Sequence, residues 1–194
     1  MTAGFGPYYD ATAGRPPRKT LLSALAAFGD FAGFAVDLGC GDGRDTIELL
    51  RRGWSVLAID AEAEAIARLA GRSDLPPGPR LATRMARFEE TEWGPADLVN
   101  ASFALPLVAA DKFAPLWRHI VRSLRPGGRF AGQLYGDRDG WTGRTGVTCF
   151  ARVEAERLLA GLTVELFDEE ESDAVTPRGN AKHWHIFHVV ARAP

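Results

Sequence analysis

The stretch Val36-Asp37-Leu38-Gly39-Cys40-Gly41-Asp42-Gly43-Arg44-Asp45-Thr46 decides how the rest of the chain reads. An apolar run over 34–38 leads into it and an amphipathic run from Asp45 leads out, so three closely spaced glycines fall at a strand-to-helix turn. Glycine there lets the backbone approach a ligand, because no Cβ stands in the way. A dinucleotide loop of the G-x-G-x-x-G kind needs its last glycine at position 44, where this chain has arginine. Asp37 places a carboxylate beside the loop, a poor neighbour for a pyrophosphate and a good one for an ammonium or sulfonium. The loop is therefore expected to hold a nucleoside that carries an amino acid, which favours S-adenosylmethionine over NAD.

Outward from the loop, short apolar runs alternate with amphipathic ones. Upstream, Leu21, Leu22, Leu25 and Phe28 share one face of a helix predicted over 17–28. Downstream come a helix over 45–52, a strand over 55–59 closed by Asp60, and an alanine-rich helix over 62–71. Pro76-Pro77-Gly78-Pro79 breaks the chain before a strand over 81–88, and a fourth strand covers 97–101. A helix over 111–124 stops at Arg125-Pro126-Gly127-Gly128 before a fifth strand over 129–135. After a helix over 152–159, two strands over 163–167 and 184–191 follow with no helix between them, so they pair antiparallel. The expected fold class is α/β: a single doubly wound, Rossmann-like, seven-stranded sheet, mostly parallel with an antiparallel last strand and helices on both faces. One domain is expected over 1–194, with an arm and helix over 1–30 covering the cofactor site and the sheet core over 34–191.

Composition fits this reading. The chain has 194 residues, 46% of them apolar, enough for a sizeable core. Twenty-three basic against twenty-five acidic side chains leave a net charge of −2, too little field for a nucleic-acid partner. Cys40 and Cys149 are too few for a disulfide framework or a four-thiolate zinc site, and no metal site is expected. With no secretory pattern and no apolar run of membrane-spanning length, the expectation is a soluble, cytoplasmic protein without a membrane partner. No oligomeric interface is legible.

Further ligand contacts follow from position. Asp60, twenty-one residues after Gly39, can accept both hydroxyl protons of a ribose, with Ala61 alongside. After the third strand, Phe88 can cover an adenine while Glu89 accepts from its exocyclic amine. Asn100, Ala101, Ser102 and Phe103 follow the fourth strand, at the edge where open α/β sheets bind ligands. Near the N-terminus, Tyr8 and Tyr9 carry polar groups on a segment able to fold over the cofactor, and Arg15 can pair bidentately with a carboxylate.

The motifs VDLGCGDGRDT, VLAIDAEAEAI, ADLVNASFALP and LRPGGRFAGQLYGDRD, in this order, make the chain resemble the class I S-adenosylmethionine-dependent methyltransferases, most closely the small tellurite-resistance-like group, over residues 36–190. The resemblance implies methyl transfer, with Asp37, Gly39, Gly41 and Gly43, and Cys40 among them, at the methionine part, Asp60 at the ribose, and Phe88 with Glu89 at the adenine. It departs from the family at Glu89-Glu90, where an aspartate followed by a hydrophobe is common.

The run NASFALP lacks the Asn/Asp-Pro-Pro-Tyr of exocyclic-amine enzymes and the Pro-Cys of cytosine C5 enzymes, so a small-molecule acceptor is expected, with a soft nucleophile or an oxyanion as one option. Transfer from a sulfonium is an in-line displacement in which a base is optional. His185, in the run Lys182 to His188, is the candidate catalytic residue, set against the plainer reading of packed polar residues on an edge hairpin. Asp168 to Glu171 and Asp173 read as solvated surface, and the glycine-rich segment 135–146 reads as a lid on the acceptor side. The alternatives are an NAD(P)-dependent oxidoreductase, disfavoured by Arg44, and a non-catalytic S-adenosylmethionine-binding protein.

Overall fold

Phe34–Leu38 is buried over nearly its whole length, as a strand must be when helices cover both faces of a parallel sheet. In the structure, a computed structural model that describes residues 5–78 and 80–194, this segment is β1. The first four residues and Pro79, the last of the expected proline break, lie outside the described residues. Ser55–Asp60 (β2), Leu81–Met85 (β3), Ala96–Ala101 (β4), Leu124–Gly136 (β5), Cys149–Phe150 (β6), Thr163–Val175 (β7) and Ala181–Arg192 (β8) complete one sheet, and all but β6 lie in the order β3-β2-β1-β4-β5-β8-β7. The strands from β1 to β5 pair in parallel, whereas β8 runs antiparallel to both β5 and β7. The order reverses between β1 and β4, the switch point at which open sheets leave a crevice.

The seven expected strands are present, and β6 is an addition. Its two residues pair in parallel with Tyr135 and Gly136, on the edge of β5 that β4 leaves free. The third strand is shorter than predicted: it stops at Met85, and Phe88–Glu90 forms a 3-10 turn after the Ala86 N–H donates back to the Asp60 carbonyl (2.9 Å). Arg125 to Gly128 falls inside β5 as an irregularity in its pairing with β4. β7 and β8 are longer than predicted because the acidic run is strand, not loop, on a charged sheet edge that discourages further pairing.

Helices Lys19–Phe28 (α2), Arg44–Arg51 (α3) and Ala63–Ala70 (α4) cover one face, where Leu21, Ile47, Leu49 and Leu69 pack on Val56, Leu98 and Val190. Ala110–Ser123 (α5) and Arg152–Leu158 (α6) cover the other, where Phe113, Trp117 and Ala155 meet Phe130, Leu134 and Phe187. A further short helix, Gly6–Thr12 (α1), opens on Pro7 and lies over the sheet's carboxyl edge. Among the described residues no helix is long and apolar enough to cross a membrane.

Candidate cofactor site

After Leu38 the backbone turns through Gly39, Gly41 and Gly43 at φ of +67°, +56° and +87°, the left-handed region that side chains disfavour. Packing imposes the same choice, since a Cβ on Gly39 would overlap Ala104 and one on Gly43 would overlap Leu69. The Gly39 and Cys40 N–H groups donate to the Ile59 carbonyl (2.8 and 3.1 Å), tying the loop to β2. Asp60 completes the clamp: one carboxylate oxygen accepts from the Gly41 N–H and the other from the Glu62 N–H, each at 2.9 Å.

Beneath the loop lies a buried acidic pair. Asp37 accepts from the Thr46 hydroxyl (2.5 Å) and the Asn100 amide (2.9 Å), while Asp45 accepts from the same amide (3.1 Å), the Ser102 hydroxyl (2.6 Å) and the Arg18 N–H (2.9 Å). Burial, and then the neighbouring Asp45 carboxylate, push Asp37 well above the usual carboxylate range. Nearby, the Arg44 side chain donates from Nε to the Pro16 carbonyl (2.6 Å), and its Nη1 is buried with no hydrogen-bond partner among the described residues. The Arg18 guanidinium lies 4.4 Å from the centre of the Phe103 ring and reaches the Tyr8 hydroxyl at 3.4 Å. Phe103 itself has φ of +57°, a strained setting for an aromatic residue, anchored where its N–H donates to Gln133 (2.9 Å).

These elements line a small open cleft at the glycine loop. The structure brings the predicted Tyr8, Asp37, Gly39, Cys40 and Gly41 into its wall, along with Tyr9 and Ser102. Gly43 lies beneath it, against Leu69, and Asp60 behind the loop. Asn100 and Ala101 are buried in β4 under the cleft, while Ala61 is exposed at the end of β2. Phe88 is half-buried near Gly39. Of the two glutamates, Glu89 has the shielded side chain and pairs with Arg87 (2.5 Å), and Glu90 is exposed. Arg15 is exposed and stands away from the wall; Arg18 and Arg44 are the guanidiniums that line it. Arg44 had a sequence signal only as a missing glycine.

His185 is not brought to the cleft. Its side chain is fully buried on the face that carries Phe187, against α5 and α6. Nδ1 accepts from the Arg138 N–H (3.2 Å), and Nε2 is bonded to Glu169 (2.8 Å) with the Arg138 guanidinium 3.1 Å from it. That bond, together with Arg152, holds Glu169 down at about 2. The acidic run is thus not plain solvated surface: Glu169 and Glu171 pair with Arg138, and Glu170 with His188.

A glycine loop at the switch point of a doubly wound sheet, clamped by an acidic residue ending the next strand, defines a nucleoside-cofactor domain. Residues 35–128 match the family model described as a methyltransferase domain. TehB from Haemophilus influenzae superposes with a TM-score of 0.78 at 16% identity over 98% of this chain, which spans 66% of the TehB chain. The magnesium protoporphyrin IX methyltransferase ChlM of Synechocystis PCC 6803, with bound S-adenosylmethionine, gives 0.73 at 12% identity, covering 100% of this chain and 92% of its own. The N-methyltransferase NodS of Bradyrhizobium japonicum WM9, in complex with S-adenosyl-L-homocysteine, gives 0.69 at 18%, covering 91% and 84%. At these identities the likeness is one of fold. No curated protein sequence matches. Residues 35–128 thus resemble a methyltransferase domain, on a fold shared with S-adenosylmethionine-dependent methyltransferases.

Proposed function

We propose that the chain methylates a small-molecule acceptor, a soft nucleophile or an oxyanion, using S-adenosylmethionine. The observation that carries this reading is the buried Arg44 Nη1, without a hydrogen-bond partner among the described residues, in the same cleft as the Asp37 and Asp45 carboxylates. An amino acid on a sulfonium has the complementary charges, a carboxylate for Arg44 and two cations for the acidic floor. Asp60 takes the ribose hydroxyls beside Ala61, Phe88 and Glu89 flank the adenine, and Tyr8 and Tyr9 cover the site from α1. When bound, S-adenosylmethionine supplies an electrophilic methyl group. The residues of the chain hold the acceptor near and aligned and keep water out.

The acceptor side is the space beyond Ser102 and Phe103. There Arg18, whose guanidinium has only the long bond to Tyr8 among its described hydrogen bonds, offers donors to an anion. An acceptor that is already anionic needs no base, in keeping with the engagement of both His185 nitrogens elsewhere. The structural neighbours include N-methyltransferases and a magnesium protoporphyrin IX methyltransferase, which supports a small molecule while leaving its choice to local residues.

The test pairs binding with turnover. S-Adenosylmethionine and S-adenosylhomocysteine should raise the melting temperature and NADH should not. Labelled methyl groups should then appear in thiols or oxyanions from an acceptor panel. Stabilisation by NADH alone would overturn the cofactor reading, and label entering amines only would overturn the acceptor class.

A further inference from the structure

β8 runs antiparallel to β5, so its first residues stand at the carboxyl edge of the sheet, beside Tyr135. Strand alternation sends Lys182, Trp184 and Ile186 to the α2 face, opposite His183 and His185. The Lys182 side chain is 1% exposed. Its ammonium lies 3.5 Å from the ring centre of Trp184 and 4.0 Å from those of Tyr135 and Trp141. The Asp139 carboxylate is 2.9 Å away, close enough for an ion pair but off the alignment of a hydrogen bond. Three π faces and a carboxylate around a desolvated cation form the arrangement that recognises alkylated ammonium ions. Here the chain itself provides the cation.

The cage does not depend on the lysine for its shape. Asp139 accepts from the Trp141 N–H (2.9 Å) and the His185 N–H (3.2 Å), and the Gly140 N–H donates to the His183 carbonyl (2.9 Å). These bonds fasten the expected lid segment to β8 as a fixed wall. The cage also adjoins the acceptor side, since the rings of Trp184 and Tyr135 meet Phe103 edge-on at 6.3 and 6.4 Å. Burial lowers the Lys182 ammonium from the usual lysine range, and Asp139 opposes that shift.

We propose that Lys182 is a specificity-determining residue: its ammonium fills an aromatic cage at the acceptor wall and so keeps alkylated ammonium ligands out of it, leaving the wall to neutral or anionic acceptors. This rests on the reading of the Phe103 side as acceptor space, and its test requires no turnover. Lys182→Ala vacates the cage, and tetramethylammonium chloride is the probe, titrated by calorimetry against a sodium chloride blank with 2,2-dimethylpropanol as the neutral isostere. The variant should bind the cation at least about tenfold more tightly than the wild type, consistent with a desolvated cation–π site. It should also prefer the cation to the alcohol, with unchanged affinity for S-adenosylhomocysteine as proof of folding. Alanine leaves Asp139 buried and unpaired, so Lys182→Ala/Asp139→Asn serves as a second variant in which the preference for the cation should persist. Equal cation binding by the wild type, or no preference for the cation over the alcohol in a folded variant, would sink the proposal. Absence of methyl transfer to any acceptor would instead count against the proposed function.

Discussion

Asp37, Asp45 and Arg44 carry opposite charges into one cleft, and each has a consequence that can be measured. Arg44 has a buried nitrogen with no partner among the described residues, and a charge-assisted bond to a ligand carboxylate there contributes roughly 1.5–3 kcal/mol. Arg44→Ala should weaken S-adenosylhomocysteine about 10- to 100-fold. It should leave 5′-methylthioadenosine, which lacks the amino-acid carboxylate, unaffected; equal losses for both would remove Arg44 from this role. Asp37 gives a pH dependence of definite sign. The folded apoprotein retains this proton above the ordinary carboxylate range, so its stability falls as pH rises through that window. A cationic ligand favours the ionised form, so affinity for S-adenosylmethionine should fall as pH is lowered from about 8 towards the ordinary carboxylate range. Titration calorimetry across that range should show the slope in the wild type and lose it in Asp37→Asn. At this scale the glycines, Asp37 and Asp60 were legible because their roles are local to one strand–turn–helix unit. Arg18 and Arg44 were not, because Arg44 becomes useful only where Pro16 folds back against it.

Among the elements, α1 is the one whose existence depends most on its neighbours. Seven residues are too few for a helix stable by itself. Tyr9 packs on Gly41 and is almost fully buried, Arg68 pairs with Asp10 (2.7 Å) and lies over the Tyr9 ring, and Arg178 lies over Phe5. Burial, and then the Asp60 carboxylate, raise the Tyr9 phenol above its usual range. Tyr9→Ala should therefore speed dissociation of S-adenosylhomocysteine about tenfold in stopped-flow measurements, for the loss of roughly 1.4 kcal/mol of contact. The melting temperature should move by only a few degrees, since the sheet is untouched. An unchanged off-rate would mean that α1 does not cover the cofactor. The sequence reading had only an arm here, because a single turn or two without apolar repetition leaves no periodic signal. The lengths of β7 and β8 escaped it for a related reason: Asp168 to Glu171 look like loop until His183, His185, His188 and Arg138 stand across from them.

For the whole molecule, stability rests on two cores separated by the sheet, and β8 contributes to both through Phe187 and Val190. Phe187 is fully buried, stacks on Phe167 (5.3 Å between ring centres) and meets the His185 ring. Phe187→Ala should lower the unfolding free energy in urea by about 3–5 kcal/mol. A cost below about 1 kcal/mol would show that the hairpin is peripheral to the cooperative unit. Apolar periodicity and glycine placement, set by neighbours within a few residues, already carried the alternation of strands and helices, the switch-point glycine loop and its acidic clamp. Three outcomes came with folding alone: which charges meet in the cleft, that His185 faces the opposite core, and that Lys182 closes the cage of Tyr135, Trp141 and Trp184. The first depends on Pro16 folding back against Arg44, and the other two on antiparallel pairing of β8 with β5 across about fifty residues of chain, contacts that no local pattern encodes.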